Sequence, residues 1–221
     1  MTLAERIARI YAGKWSTASE KFPLPYHTLE GHNVSVMLDV IMKVTHGATR
    51  NRLANGSVAT MKCVANLQES YPNAKLFFST YSRNPEGANE KNWVEKMLPS
   101  ATHVGSIPTT SAEAKALRAF YDEIDWYPWT MLIVTDEFNS RRTRDIYRLY
   151  FPETNIFILA IPIAKTHDPE SPILNFRNMN RAILWETLIP LIPFWVLTHS
   201  GDLGKRILEW LSYRVAQASA S

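Results

Sequence analysis

Apolar residues in this chain fall into short runs alternating with longer segments of helical period. Leu3, Ile7, Ile10 and Tyr11 recur at helical spacing and predict a short amphipathic helix ending near Gly13. Lys14 to Gly31, with FPLPYH at its centre, has no period and reads as an extended arm. Val34 to Val44 (VSVMLDVIMKV) is apolar on both parities, as a strand covered on both faces should be. After the polar loop Thr45 to Gly56, a helix is predicted over Val58 to Tyr71, then a strand over Ala74 to Ser79. A second polar loop, Thr80 to Ala88, leads to a helix over Asn89 to Leu98 and a brief strand over Thr102 to Val104. Thr110 to Ile124 opens on Thr-Ser-Ala-Glu, a capping box in which the Glu113 carboxylate reaches back to the cap amide. Thr130 to Val134 is a strand, Ser140 to Tyr150 a helix and Asn155 to Ile161 a strand buried on both faces. Pro162 to Asn175 is a long polar loop, and Arg177 to Ala216 reads as helical, with a final amphipathic helix from Asp202.

Strand and helix alternate at least four times. This predicts a Rossmann-like three-layer α/β domain with a mostly parallel central sheet and a helical C-terminal extension. The expected divisions are an N-terminal helix and arm over 1–32, the ligand-binding domain over 33–190 and the extension over 191–221.

The totals exclude more than they identify. At 221 residues, 46% hydrophobic and 20% charged, the chain can bury a core unaided. A net charge of +3, scattered along the sequence, argues against nucleic acid. The lone Cys63 forms no internal disulfide and reads as a buried spectator. No run reaches the roughly 18 apolar residues of a membrane span, and the N-terminus lacks the core of a secretory signal, so a soluble, cytoplasmic protein is expected. The stretch LIPLIPFWVL, with Leu188, Phe194 and Trp195, is apolar enough for a protein partner or membrane surface wherever it is exposed.

In open α/β sheets ligands sit beyond the carboxyl ends of the strands, which directs attention to His46, Ser79, Thr110, Ser111, Glu113 and the segment TDEFNSRR. Arg141, Arg142 and Arg144 stand in the first turns of a helix, where cations oppose the helix dipole unless an anion meets them. Asp136 and Glu137 just upstream are the alternative partners. Hydroxyls and guanidinium groups suit phosphate, carboxylate or sugar, whereas the histidines show no metal-ligand spacing. No Gly-x-Ser-x-Gly elbow, dinucleotide fingerprint or Walker loop occurs.

The strand ending in Ser79, the segment SIPTTSAEAKAL and the segment IVTDEFNSRRTR together resemble a bacterial domain family shared by the YdcF, SanA and ElyC proteins, over roughly Val34 to Leu188. Carried over residue by residue, the resemblance implies ligand-binding roles for Ser79, Thr110, Ser111, Thr135 and Arg142. It places Glu113 and Asn139 at catalytic positions. Thr80 and Tyr81 stand where that family has paired glycines, Ala114 replaces an asparagine, and Asn139 replaces a histidine. The resemblance implies an enzyme-like domain whose ligand is S-adenosylmethionine, another nucleotide-like molecule or a phosphorylated precursor. Because an amide cannot titrate, Asn139 supports the alternative of an accessory or interaction protein that keeps the fold without turnover.

Overall fold

The computed structural model describes residues 27–29, 32–34, 37–82, 86–137, 139–173, 177, 197 and 199–217. The predicted helix at Leu3 to Tyr11 and most of the apolar stretch from Leu188 lie outside these residues.

Part of the expected extended arm is a hairpin, in which β1 (His27–Leu29) pairs antiparallel with β2 (His32–Val34). Val34 therefore belongs to the hairpin, and the first sheet strand, β3 (Val40–Lys43), starts six residues later than its apolar run suggested. Asp39 explains the late start. Its carboxylate accepts the amides of Trp129 (2.8 Å) and Thr130 (2.9 Å), which fixes the edge of the sheet and leaves Met37 exposed.

Six further elements alternate: α1 (Asn55–Ser70), β4 (Lys75–Tyr81), α2 (Gly87–Met97), β5 (Thr102–Ile107), α3 (Thr110–Ile124) and β6 (Thr130–Asp136). They are followed by α4 (Ser140–Tyr150), β7 (Asn155–Ile161), the single turn α5 (Ile163–Thr166) and α6 (Gly201–Gln217). The sheet is five-stranded, in the order β5-β4-β3-β6-β7, and every pairing is parallel. This is the α/β three-layer architecture expected from the alternation.

Two-faced burial follows from the apolar strands. Val40 and Met42 point into one core with Leu117, Tyr121 and Ile146, whereas Ile41 joins Met61, Val64 and Val94 on the other side. Helices α3 and α4 cover the first face, and α1 and α2 the second. Helix α6 packs against α3, where Leu208 enters the first core and Glu209 pairs with Lys115 at 2.9 Å.

Three strands run further than their apolar residues indicate: β4 to Tyr81, β5 to Ile107 and β6 to Asp136. Ladder pairing continues through polar side chains, since Tyr81 pairs with Ile107 and Asp136 with Ile161. The chain winds outward from β3 through β4 to β5, then returns to the other side of β3 with β6 and β7. The order of connection thus reverses between β3 and β6, and a crevice opens there beyond the carboxyl ends.

Candidate functional site

A cavity of about 200 Å³ occupies this switch point. Val44 and Thr45 form its wall after β3, Tyr81 and Ile107 line it from the ends of β4 and β5, and Asp136 closes the end of β6. Thr109, Thr110 and Glu113 enter from the start of α3, Asn139, Arg142 and Thr143 from the start of α4, and Ile173 from the loop after α5.

Glu113 is not the capping carboxylate that its spacing suggested. The cap of α3 is Thr109, whose hydroxyl accepts the Ala112 amide at 3.2 Å, one residue earlier than the motif implied. This turns Glu113 inward to complete burial. The Ser79 hydroxyl donates to one carboxylate oxygen, and the Tyr147 hydroxyl donates to the other at 3.1 Å. Burial pushes the carboxyl up to about 7, and the hydrogen bonds from Ser79 and Tyr147 and the charge of Lys43 offset only part of that. A carboxyl poised there holds or releases a proton at neutral pH, which is what general acid–base chemistry requires. Tyr147 is itself pushed well up, by its own burial and then by Glu113.

On the opposite wall, the Asn139 amide bridges two charged groups. Its backbone N–H and side-chain Nδ2 donate to the two oxygens of Asp136, at 3.1 and 2.5 Å, while its side-chain carbonyl accepts from Arg142. The planar Asn139 amide thus donates on one side and accepts on the other, and sets the position of the guanidinium. Burial alone would raise Asp136, but the His46 ring beside it and the hydrogen bonds from Asn139 outweigh it and hold the carboxyl below its ordinary range. His46, fully buried, has Nδ1 3.1 Å from the Val44 carbonyl and Nε2 3.6 Å from Asp136.

Of the residues nominated from the sequence, Thr110, Glu113, Asp136, Asn139 and Arg142 line the cavity. Ser79 and His46 stand behind it, each holding a carboxyl group that lines it. Ser111 faces away, its hydroxyl 3.0 Å from the Tyr150 hydroxyl. Thr135 is fully buried, with a hydroxyl that has no hydrogen-bond partner among the described residues. Arg144 pairs with its neighbour Asp145 at 2.8 Å, and Glu137 accepts the Ile163 amide, so neither acts in the cavity. Cys63 is half-buried, and burial pushes its thiol up, which suits a spectator.

Sequence reasoning missed two buried charges. Glu90 on α2 accepts from the Thr45 hydroxyl (2.8 Å), the Ser57 hydroxyl (3.2 Å) and the Tyr81 amide (3.2 Å), fastening two cavity-lining residues from outside the cavity. Lys43, at the end of β3, is fully buried, and its amine has no hydrogen-bond partner among the described residues. Burial lowers its pKa, opposed by the charges of Glu90 and Glu113. A lysine inside VIMKV was the available signal, because a charge within a strand buried on both faces needs compensating charge nearby.

Among the described residues no cluster of histidine, cysteine, aspartate or glutamate is arranged to hold a metal ion, and no helix is long and apolar enough to cross a membrane. The chain matches no protein-family model, no curated protein and no solved structure.

Proposed function

We propose that this protein is an enzyme-like α/β domain binding a small anionic or nucleotide-like ligand at the carboxyl ends of its strands. S-adenosylmethionine or a phosphorylated precursor is the candidate that the resemblance to the YdcF, SanA and ElyC family implies. The observation that carries the reading is Arg142, held at the start of α4 on the wall of the switch-point cavity, with the titratable Glu113 lining the same space. Arg142 supplies the anion contact, the Thr110 hydroxyl and Glu113 shape the adjoining wall, and Glu113 is the group able to exchange a proton.

Thermal-shift measurements against a metabolite panel test this, since a ligand at a hundred times its dissociation constant stabilises by roughly 2.7 kcal/mol. The wild type is expected to gain stability with an anionic or nucleotide-like compound, and Arg142→Ala to lose that gain while unfolding at nearly the same temperature. A ligand response that survives in Arg142→Ala contradicts the reading.

One observation favours a second reading, an accessory protein that binds without turnover. Asn139 is engaged by Asp136 on one side and Arg142 on the other, and neither bond involves a group that titrates on Asn139 itself. A ligand that binds wild type and is recovered chemically unchanged after prolonged incubation supports it; conversion of that ligand excludes it.

A further inference from the structure

The charges around the cavity are unevenly matched to a multiply charged anion. Among the described residues one cation lines it, Arg142, and two carboxyl groups do so as well, Glu113 and Asp136. Lys43 does not line the cavity and lies between two acids, since the charges of both Glu90 and Glu113 act on it. A phosphate dianion or a polyphosphate would place two or more negative charges beside two acids with a single guanidinium to meet them.

The hydrogen-bond inventory points the same way. Asp136 is held by Asn139 through both oxygens. Glu113 lines the cavity and has about four acceptor sites when ionised; the Ser79 and Tyr147 hydroxyls and the Thr45 backbone occupy up to three of them, which leaves at least one for a further donor. At about 200 Å³ the space is below the roughly 300–1,000 Å³ typical of sites for drug-sized molecules, so it encloses a compact molecule or one compact head group.

We propose that the crevice recognises a small zwitterion of the α-amino-acid type, its carboxylate against Arg142 and its ammonium group against Glu113. This rests on the ligand-binding function proposed above and narrows it from anions in general to molecules bearing one negative and one positive charge. It carries a signature that separates it from phosphates. The groups facing Glu113 are Ser79 on β4, Tyr147 on α4, Lys43 on β3 and Thr45 just beyond it. None of the side chains that hydrogen-bond Glu113 is an acid, so an arriving ammonium group favours the carboxylate and binding expels a proton. An arriving phosphate favours the neutral acid and takes a proton up.

Isothermal titration calorimetry of the full chain at pH 7, repeated in buffers of different ionisation enthalpy, reads this directly. The probes are the twenty common L-amino acids, then the deaminated, 2-hydroxy and decarboxylated analogues of the tightest one, with methyl phosphate and adenosine monophosphate. The zwitterion is expected to bind at least tenfold tighter than each analogue and to release a fraction of a proton. Arg142→Ala should abolish binding, and Glu113→Gln should weaken it at least tenfold and remove the proton release; the wild-type measurement stands alone should Glu113→Gln not fold. Arg142-dependent binding of a phosphate with proton uptake overturns the zwitterion while leaving the broader function intact. Equal affinity for the 2-hydroxy analogue overturns the ammonium contact. No binding by any probe overturns the zwitterion, and the thermal-shift panel then decides the broader function.

Discussion

The loop after α5 contributes Ile173 to the cavity, and a half-buried ion pair decides whether it stays in place. Asp168 is fully buried and accepts two hydrogen bonds from the Arg52 guanidinium, at 2.7 and 3.0 Å, and a third from the Asn55 amide at 2.9 Å. The segment before α1 is thereby clamped to the segment after α5. The Arg52 hydrogen bond, only partly opposed by burial, holds the Asp168 carboxyl at about 2 rather than its ordinary 3.8. At 1.36 kcal/mol per pKa unit this corresponds to at most about 2.4 kcal/mol. Arg52 is 42% exposed, so solvent screening reduces the expected contribution to about 1–2 kcal/mol. Because the folded-state value is depressed, that stability is present above pH 4 and is lost as pH falls through 2. Asp168→Asn should therefore cost about 1–2 kcal/mol at pH 7 and nearly nothing at pH 2. Urea unfolding followed by fluorescence of the seven tryptophans measures this across the range. A double-mutant cycle with Arg52→Ala isolates the pair. A gap between wild type and Asp168→Asn that stays constant with pH, or a coupling near zero, would refute the clamp.

Glu113 titrates in the opposite sense. Its folded-state value is raised from 4.5 to about 7, so the associated stability is complete below pH 4.5 and disappears as pH rises through 7. Urea titrations at pH 5 and pH 9 should show wild type losing about 2–3 kcal/mol that Glu113→Gln does not lose. Gly56→Ala would place a Cβ 2.6 Å from the His46 ring, which is buried, and should destabilise by about 1–3 kcal/mol, readable by thermal unfolding. Arg142→Ala, by contrast, removes a side chain at the cavity wall and should change stability by less than about 1 kcal/mol in the same assay.

Helices α3 and α4 and strand β7 lie where periodicity placed them, because their apolar stripes and turn residues agree with the tertiary fold. Strand ends were underestimated. Tyr81 and Asp136 are polar, and pattern reasoning ended each strand before them, yet backbone pairing with Ile107 and Ile161 continues regardless of side-chain type. The site was visible as a set of loops, and strand order, which supplies the switch point, was not. Glu113 shows how local and tertiary readings diverge. Its spacing from Thr110 satisfies a capping box, but Thr109 takes the cap and leaves the carboxyl to Ser79 and Tyr147, contacts across 34 residues in either direction that no local pattern encodes. Lys43 and Glu90 were overlooked for the same reason, since a buried charge is intelligible only beside its compensating groups.

The claim that the switch-point crevice is where the ligand binds can be tested by amide chemical-shift mapping during titration with the tightest compound from the thermal-shift panel. Perturbations concentrated at Thr45, Tyr81, Thr110, Glu113 and Arg142 are predicted. Perturbations gathered at the opposite, amino-terminal edge of the sheet, around the exposed Met37 and Trp129, would contradict it.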